Sequence, residues 1–287
     1  MEPKSGVIMP KISIVTDSTA YLDEKTLVEN EISVIPLSVV FDQETIRETE
    51  MGTEEFYGKM RAREKLPTTS QPSIGEFIDL YEKLGESSDS ILSFHLSSGI
   101  SGTFETAVAA SRSIEDVNVY PFDSEISCSA QGYYAVEAAK LAREGKTVDE
   151  IFETLTSIRD TLAGYFIVAD LNHLHRGGRM SGAQKFLGSA LQIKPILHFK
   201  DKVIVPFEKV RTEKRAIKRV MELLEQDAAD GPVRATVVHA NVPEKAEEIR
   251  STLDKKYDNL EIDLGVFGPV IGTHLGEKSL GLTWYKK

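Results

Sequence analysis

The run Ile91-Leu92-Ser93-Phe94-His95-Leu96, followed at once by Ser97-Ser98-Gly99-Ile100-Ser101-Gly102-Thr103, reads as a buried strand ending in a loop of hydroxyls and glycines. Phe104 to Ser113 continues as a helix, with Ala107, Val108 and Ala110 and few breakers. Strand, loop and helix in that order form the repeating unit of a parallel α/β sheet. The loop also sets backbone N–H groups and Ser and Thr hydroxyls at a helix N-terminus, a ready seat for a carboxylate or phosphate. A small anionic ligand is therefore expected.

Working outward, the same alternation fills the first half. Ile12 to Val15 is a strand ending in Thr16-Asp17-Ser18-Thr19, with a helix near Leu22 to Asn30. Ile32 to Phe41 reads as one strand with Pro36 marking an edge or bend. Thr53 to Arg63 is helical, and the capping boxes Ser73…Glu76 and Thr147…Glu150 open two further helices. Val117 to Phe122 is a strand leading to Asp123-Ser124, Ala130 to Arg143 a long helix, and Tyr165 to Ala169 another strand. The fold class is α/β: an N-terminal, doubly wound, mostly parallel sheet over residues 9–170. Thr16–Thr19, Ser97–Thr103 and Asp123-Ser124 then converge at the carboxyl edge, where open α/β sheets bind ligands.

Residues 171–287 have a different texture and predict a second, smaller α+β domain, with the ligand between the two. Ile193 to Phe199 and Val203 to Val210 suggest an antiparallel hairpin. Thr212 to Gln226 and Pro243 to Lys256 are helical, while Val233 to His239, Leu260 to Phe267 and Val270 to His274 read as strands. Residues 1–8 read as a disordered extension, with Met9 a second possible start.

Composition excludes several classes. The formal charge is -11, with 34 Lys and Arg against 45 Asp and Glu, which opposes a grip on nucleic acid. The single Cys128 forms no internal disulfide and reads as a small buried side chain, in keeping with a reducing cytoplasm. No apolar run reaches the ~20 residues needed to span a bilayer, so no stable membrane insertion is expected. His173 and His175 are two apart and share no helix face, so no metal is predicted. The strand histidines His95, His198 and His239 read as structural.

At this point the motifs carry a family likeness. Thr16-Asp17-Ser18-Thr19, Thr69-Ser70-Gln71-Pro72, the Ser97–Thr103 loop, Arg176-Gly177-Gly178-Arg179, Ile193-Lys194-Pro195-Ile196-Leu197, Val210-Arg211 and Gly272-Thr273-His274 run in order along the chain. Together they resemble the DegV family, and Pro121 to Cys128 resembles its Gram-positive members especially. The likeness implies a two-domain fatty-acid-binding protein that presents its ligand to a separate ATP-dependent fatty acid kinase, which makes the acyl phosphate for phospholipid synthesis. It implies a non-catalytic, cytoplasmic, monomeric carrier whose only bound group is the fatty acid, with no further cofactor. Carried over motif by motif, the carboxylate is held by Thr69, Ser101 and His274, with Ser98, Ser70 and Asp17 shaping the loop. Arg176, Arg179 and Arg211 face the mouth where the kinase docks and a phosphate is formed. The chain departs from the family pattern after the histidine, at Leu275-Gly276-Glu277-Lys278, and near the start, at Tyr21-Leu22-Asp23.

The physics suits that role. Each buried methylene contributes about 0.8 kcal/mol, while a buried carboxylate must be paired. Hydroxyls of Thr69 and Ser101 are donors, and His274 donates through a ring nitrogen or becomes a cation beside the carboxylate. Phe166, Phe186, Leu187, Leu191, Ile193 and Leu197 are candidates for the tail's lining. The basic run Lys209, Arg211, Lys214, Arg215, Lys218 and Arg219 reads as a solvated helix face or a docking surface for an acidic partner. The rival reading is a serine hydrolase or esterase, with Ser101, Asp170 and His274 in α/β-hydrolase order, although Thr103 stands where the nucleophile elbow needs Gly. A kinase in its own right lacks its P-loop.

Overall fold

Ser90–His95 is a strand with every residue buried, in a computed structural model that describes residues 11–180 and 194–287. The first half runs β1 (Ile12–Asp17), α1 (Glu24–Glu29), β2 (Ile32–Ile35), β3 (Ser38–Phe41), β4 (Glu44–Arg47), α2 (Thr53–Arg61), β5 (Thr68–Ser70), α3 (Ile74–Gly85), β6 (Ser90–His95), α4 (Thr103–Ser111), β7 (Asn118–Asp123), α5 (Ser129–Arg143) and α6 (Val148–Thr161). The second half runs β8 (Ala163–Ile167), α7 (Leu171–Gly177), β9 (Lys194–Lys200), β10 (Val203–Val210), α8 (Glu213–Ala228), β11 (Val233–His239), α9 (Pro243–Asp254), β12 (Leu260–Val266), α10 (Pro269–Leu275) and β13 (Leu280–Lys286). Residues 1–8, Met9, Phe186, Leu187, Leu191 and Ile193, all named above, lie outside the described residues.

Local signals set most boundaries. Ser73 and Thr147 each accept from a backbone N–H three residues on, and Glu76 and Glu150 bond back, so both capping boxes form. Asp23 caps α1 and Thr212 caps α8. On α8, Ala216, Val220, Leu224 and Ala228 form a buried stripe at fourth-residue spacing, which packs with Ile196 and Trp284 in one apolar cluster.

Three sheets result. β2-β1-β6-β7 is wholly parallel, as expected, so the loops after β1, β6 and β7 leave the same edge. β10-β9-β8-β13-β11-β12 is mixed, with only β11 and β12 parallel, and β4-β3-β5 is a small antiparallel sheet. The hairpin of β9 and β10 is present as read.

Four expectations change. The single strand over 32–41 is two, since Pro36 has no N–H and interrupts the ladder, and the halves enter different sheets. The strand near 165 pairs with β9 and β13 instead of joining the parallel sheet. β13 was not foreseen, yet it lies between β8 and β11. Val270 to His274 belongs to the helix α10, not to a strand.

The physical reason for α10 lies far away in sequence. Pro269 occupies its first turn, where a missing N–H costs nothing. Val270 N–H donates to the Glu48 carboxylate at 3.0 Å, and Ile271 N–H to the Tyr21 hydroxyl at 3.1 Å. Groups more than 200 residues away thus satisfy donors that every helix start leaves free.

Candidate functional site: a cavity with one polar end

A cavity opens where the carboxyl edge of the parallel sheet meets the mixed sheet. Its body is apolar, with Leu37, Leu96, Phe166, Phe199, Ile204 and Phe267 among the lining. Thr69, Ser101, Arg179 and His274 also line it. An outer cleft shares Thr69, Arg179 and His274 with this cavity and adds Glu64, His173 and Arg176. The structure therefore brings the three carboxylate candidates to one place. Ser70 joins them, Phe166 lines the apolar part, and Leu197 is buried core outside the lining.

The loop after β6 works differently from the expected cradle of free backbone donors. The N–H groups of Ser97 through Ser101 are spent internally, on Ile126 O, Asp123 Oδ1, Ser97 Oγ and, for the last two, Ser97 O. Over Ser97–Ser101, what remains to offer is hydroxyl. Ser101 Oγ accepts from Thr103 N–H at 3.4 Å and pairs with Thr103 Oγ1 at 2.9 Å. With Thr103 as the donor in that pair, the Ser101 proton is left for a ligand. Gln71 Nε2 holds the loop's end through Gly102 O, at 3.3 Å, and Thr106 Oγ1, at 2.6 Å.

His274 Nε2 lies 2.9 Å from Thr69 Oγ1, while its buried Nδ1 has no hydrogen-bond partner among the described residues. Assigning the ring proton to Nε2 makes Thr69 the acceptor and frees the threonine proton for the ligand. Burial lowers the His274 pKa to about 4, helped by the charge of Arg179 and by His173, so the free protein holds a neutral imidazole at pH 7. Arg179 was expected among the docking arginines. Its Nε instead donates to Ile100 O at 3.2 Å and its Nη1 to Gly177 O at 2.6 Å, so one cation ties the loop to the end of α7 beside His274.

The remaining candidates lie elsewhere. Asp17 is fully buried and absent from the lining. It accepts from Leu96 N–H, Thr19 N–H and Thr19 Oγ1, and contacts His95 Nδ1 at 3.3 Å, so it braces the ends of β1 and β6. Burial pushes its carboxyl up, but His95, Thr19 and Gln131 outweigh this and hold it below the usual value. Ser98 is turned to Asp123. Arg211 is exposed and lines neither the cavity nor the cleft. On α8, Lys218 and Arg219 pair with Glu222 and Glu208, as on a solvated face. Among the described residues, no cluster of His, Cys, Asp and Glu is arranged to hold a metal, and no helix is long and apolar enough to cross a membrane.

The hydrolase geometry is not assembled. Asp170 caps α7 through Asn172 N–H, and nothing among the described residues orients His274 through Nδ1.

The DegV family, described as "Uncharacterised protein, DegV family", matches residues 11–287. The chain belongs to the DegV family. It is 53% identical to Protein DegV of Bacillus subtilis (strain 168) over 276 residues, 95% of this chain and 98% of that one. It is similar to the crystal structure of DegV, a fatty acid binding protein from Bacillus subtilis, with TM-score 0.92 and 52% identity over 97% of this chain and 100% of that. It is also similar to a DegV family protein from Thermus thermophilus described by its fatty acid binding, with TM-score 0.91 and 29% identity over 96% of this chain and 100% of that. The α/β architecture is thus shared with the DegV family.

Glu48, which sequence reasoning passed over, supports the site from below. It is buried and accepts from Ser18 Oγ, Tyr21 OH and Val270 N–H at the start of the helix that carries His274. Burial raises its pKa to about 7, against the pull of those three bonds. The signs of the two groups oppose. Glu48, raised in the folded state, destabilises the fold increasingly as pH climbs from about 4.5 to about 7; His274, lowered, does so as pH falls from about 6.5 to about 4. Glu48→Gln is expected to raise the thermal midpoint relative to wild type at pH 8, by up to about 3 kcal/mol of stability, and to leave it nearly unchanged at pH 4. Calorimetric midpoints across pH 4–8 measure it; a gain independent of pH would contradict it.

Proposed function

We propose that this chain binds one long-chain fatty acid, tail in the apolar cavity and carboxylate at Thr69, Ser101 and His274, and presents that carboxylate to a separate fatty acid kinase. The kinase forms the acyl phosphate; the protein is a cytoplasmic carrier and accessory subunit without a catalytic step of its own. The observation that carries this reading is a single cavity joining an apolar body to neutral donors beside one cation. Tail burial at about 0.8 kcal/mol per methylene supplies affinity, and the hydroxyl protons of Thr69 and Ser101 pair the acid end. Arg179 adds a positive charge. The fatty-acid-binding relatives from Bacillus subtilis and Thermus thermophilus support the same ligand class.

The outer cleft supports presentation. It shares Thr69, Arg179 and His274 with the cavity and carries Arg176, whose exposed guanidinium suits a phosphate's paired oxygens. Arg176, Arg179 and, farther out, Arg211 are the residues proposed to meet the kinase.

Native mass spectrometry before and after organic extraction tests the ligand. A bound mass matching a fatty acid, lost on extraction and restored by adding one, is expected. A protein that carries and accepts no lipid contradicts the reading. Because His274 is neutral when free, binding at pH 6 is also expected to take up a fraction of a proton, as the carboxylate raises the imidazole pKa. Calorimetry in buffers of different ionisation enthalpy reads that uptake directly; identical enthalpies would mean that Thr69 and Ser101 act alone.

A further inference from the structure

The tip of the β9–β10 hairpin reaches across from the mixed sheet to the loops of the parallel sheet. Its two turn residues, Asp201 and Lys202, have φ of +50° and +71°, a conformation that two-residue hairpins usually give to Asn and Gly. Lysine at the second position, where glycine is usual, makes such a turn cost energy, so contacts must hold it.

Those contacts converge on one residue. Lys202 O accepts from Ser97 Oγ at 2.6 Å. Lys202 Nζ donates to Asp123 Oδ2 at 2.8 Å and lies 3.8 Å from Glu125. Asp123 in turn accepts from Ser98 N–H at 3.1 Å and from Ser98 Oγ at 2.5 Å. Its own carbonyl accepts from Arg159 at 2.7 Å. Gly99 packs so closely on the Lys202 carbonyl that a Cβ would overlap it. Three successive loop residues, Ser97, Ser98 and Gly99, are therefore fixed by Lys202 directly or through Asp123. Ser101, the proposed head-group donor, is two residues farther on, with its N–H returned to Ser97 O.

We propose that Lys202 is a positioning residue for carboxylate recognition: its carbonyl and ammonium clamp the Ser97–Gly99 turn and so aim the Ser101 hydroxyl at the ligand's head. Lys202 touches no ligand itself, since it lines neither the cavity nor its outer cleft. The clamp also fixes the mixed sheet against the parallel one at the edge of the cavity, because Phe199 and Ile204 of the same hairpin line it. The proposal rests on the fatty-acid reading above.

A general loss of structure would weaken any ligand, whereas a misaimed donor weakens only one with an acid head. The test compares hexadecanoate with 1-hexadecanol, each displacing a fluorescent fatty acid from the full-length protein. Lys202→Met is expected to weaken hexadecanoate about tenfold and the alcohol less than twofold, while Lys202→Arg stays within about threefold of wild type for both. Asp123→Asn, which removes the partner charge at constant size, is expected to repeat the Lys202→Met pattern and serves where that variant does not fold. Equal weakening of acid and alcohol, or undiminished binding of both, overturns the proposal. Wild-type protein that binds neither overturns the fatty-acid reading and the clamp's role with it, an outcome distinct from any difference between variants.

Discussion

Ser101→Ala combined with His274→Ala is expected to weaken fatty-acid binding by roughly two to four orders of magnitude while leaving the fold intact. The lost Ser101 hydrogen bond to the carboxylate removes about 1.5–3 kcal/mol, and losing the imidazole that orients Thr69 removes a comparable amount from a different element. Ser101 precedes α4, and His274 lies in the last turn of α10. Removing the imidazole also deprives Thr69 of its 2.9 Å partner, so that hydroxyl loses its orientation. Arg179 remains and sets the residual affinity, because its guanidinium is tied to Ile100 O and Gly177 O and not to either mutated side chain. Displacement of a fluorescent fatty acid measures the loss, with circular dichroism and thermal melting to verify the fold. Affinity within threefold of wild type would remove the head group from this end of the cavity.

Gly99→Val is expected to be the most damaging single change in the loop, costing about 1–3 kcal/mol of stability and most of the binding. The obstacle is a backbone carbonyl, that of Lys202, which cannot rotate aside as a flexible side chain does. To relieve the overlap, either the hairpin tip retreats, breaking the Lys202–Asp123 pair, or the loop shifts and carries Ser101 with it. Denaturant unfolding alongside ligand titration separates the two effects. A valine variant with native stability and affinity would show that the close approach is not needed. Gly75 makes a useful control, for a Cβ there meets only Ser73 Oγ at 4.0 Å.

Both expectations turn on contacts that no local pattern announces, and this divides what was legible from what was not. The alternation of strand and helix was readable because Ile91, Leu92, Phe94 and Leu96 make the β6 run largely apolar and the capping boxes at Ser73 and Thr147 act within four residues. The hydroxyl loop was readable for the same reason. Its chemistry was read in part: the side-chain hydroxyls were seen, but the backbone donors are consumed by partners such as Ile126 and Asp123 on the next strand and its loop. Thr69, Ser101 and His274 were named from motif likeness alone; no spacing within the sequence says that residues 69 and 274 touch.

Arg179 shows the limit from the other side. An arginine after a glycine pair reads as a surface cation, and only the folded chain reveals its Nε on Ile100 O and its charge beside His274. Lys202 carried no signal beyond marking a turn. The β-branched residues of Val270-Ile271 argued for a strand, and they lost to Glu48 and Tyr21, which bond the first free N–H groups of α10 from 222 and 250 residues away.

By itself, then, the sequence determined the class of sheet, the helix starts and the hydroxyl-rich edge, because periodicity and capping act over a few residues. Only the tertiary structure decided which strands share the mixed sheet, that residues 269–275 are helical, and that Arg179 faces the cavity. Those outcomes depend on satisfying buried polar groups with partners far along the chain, and such partners become neighbours only once the chain has folded.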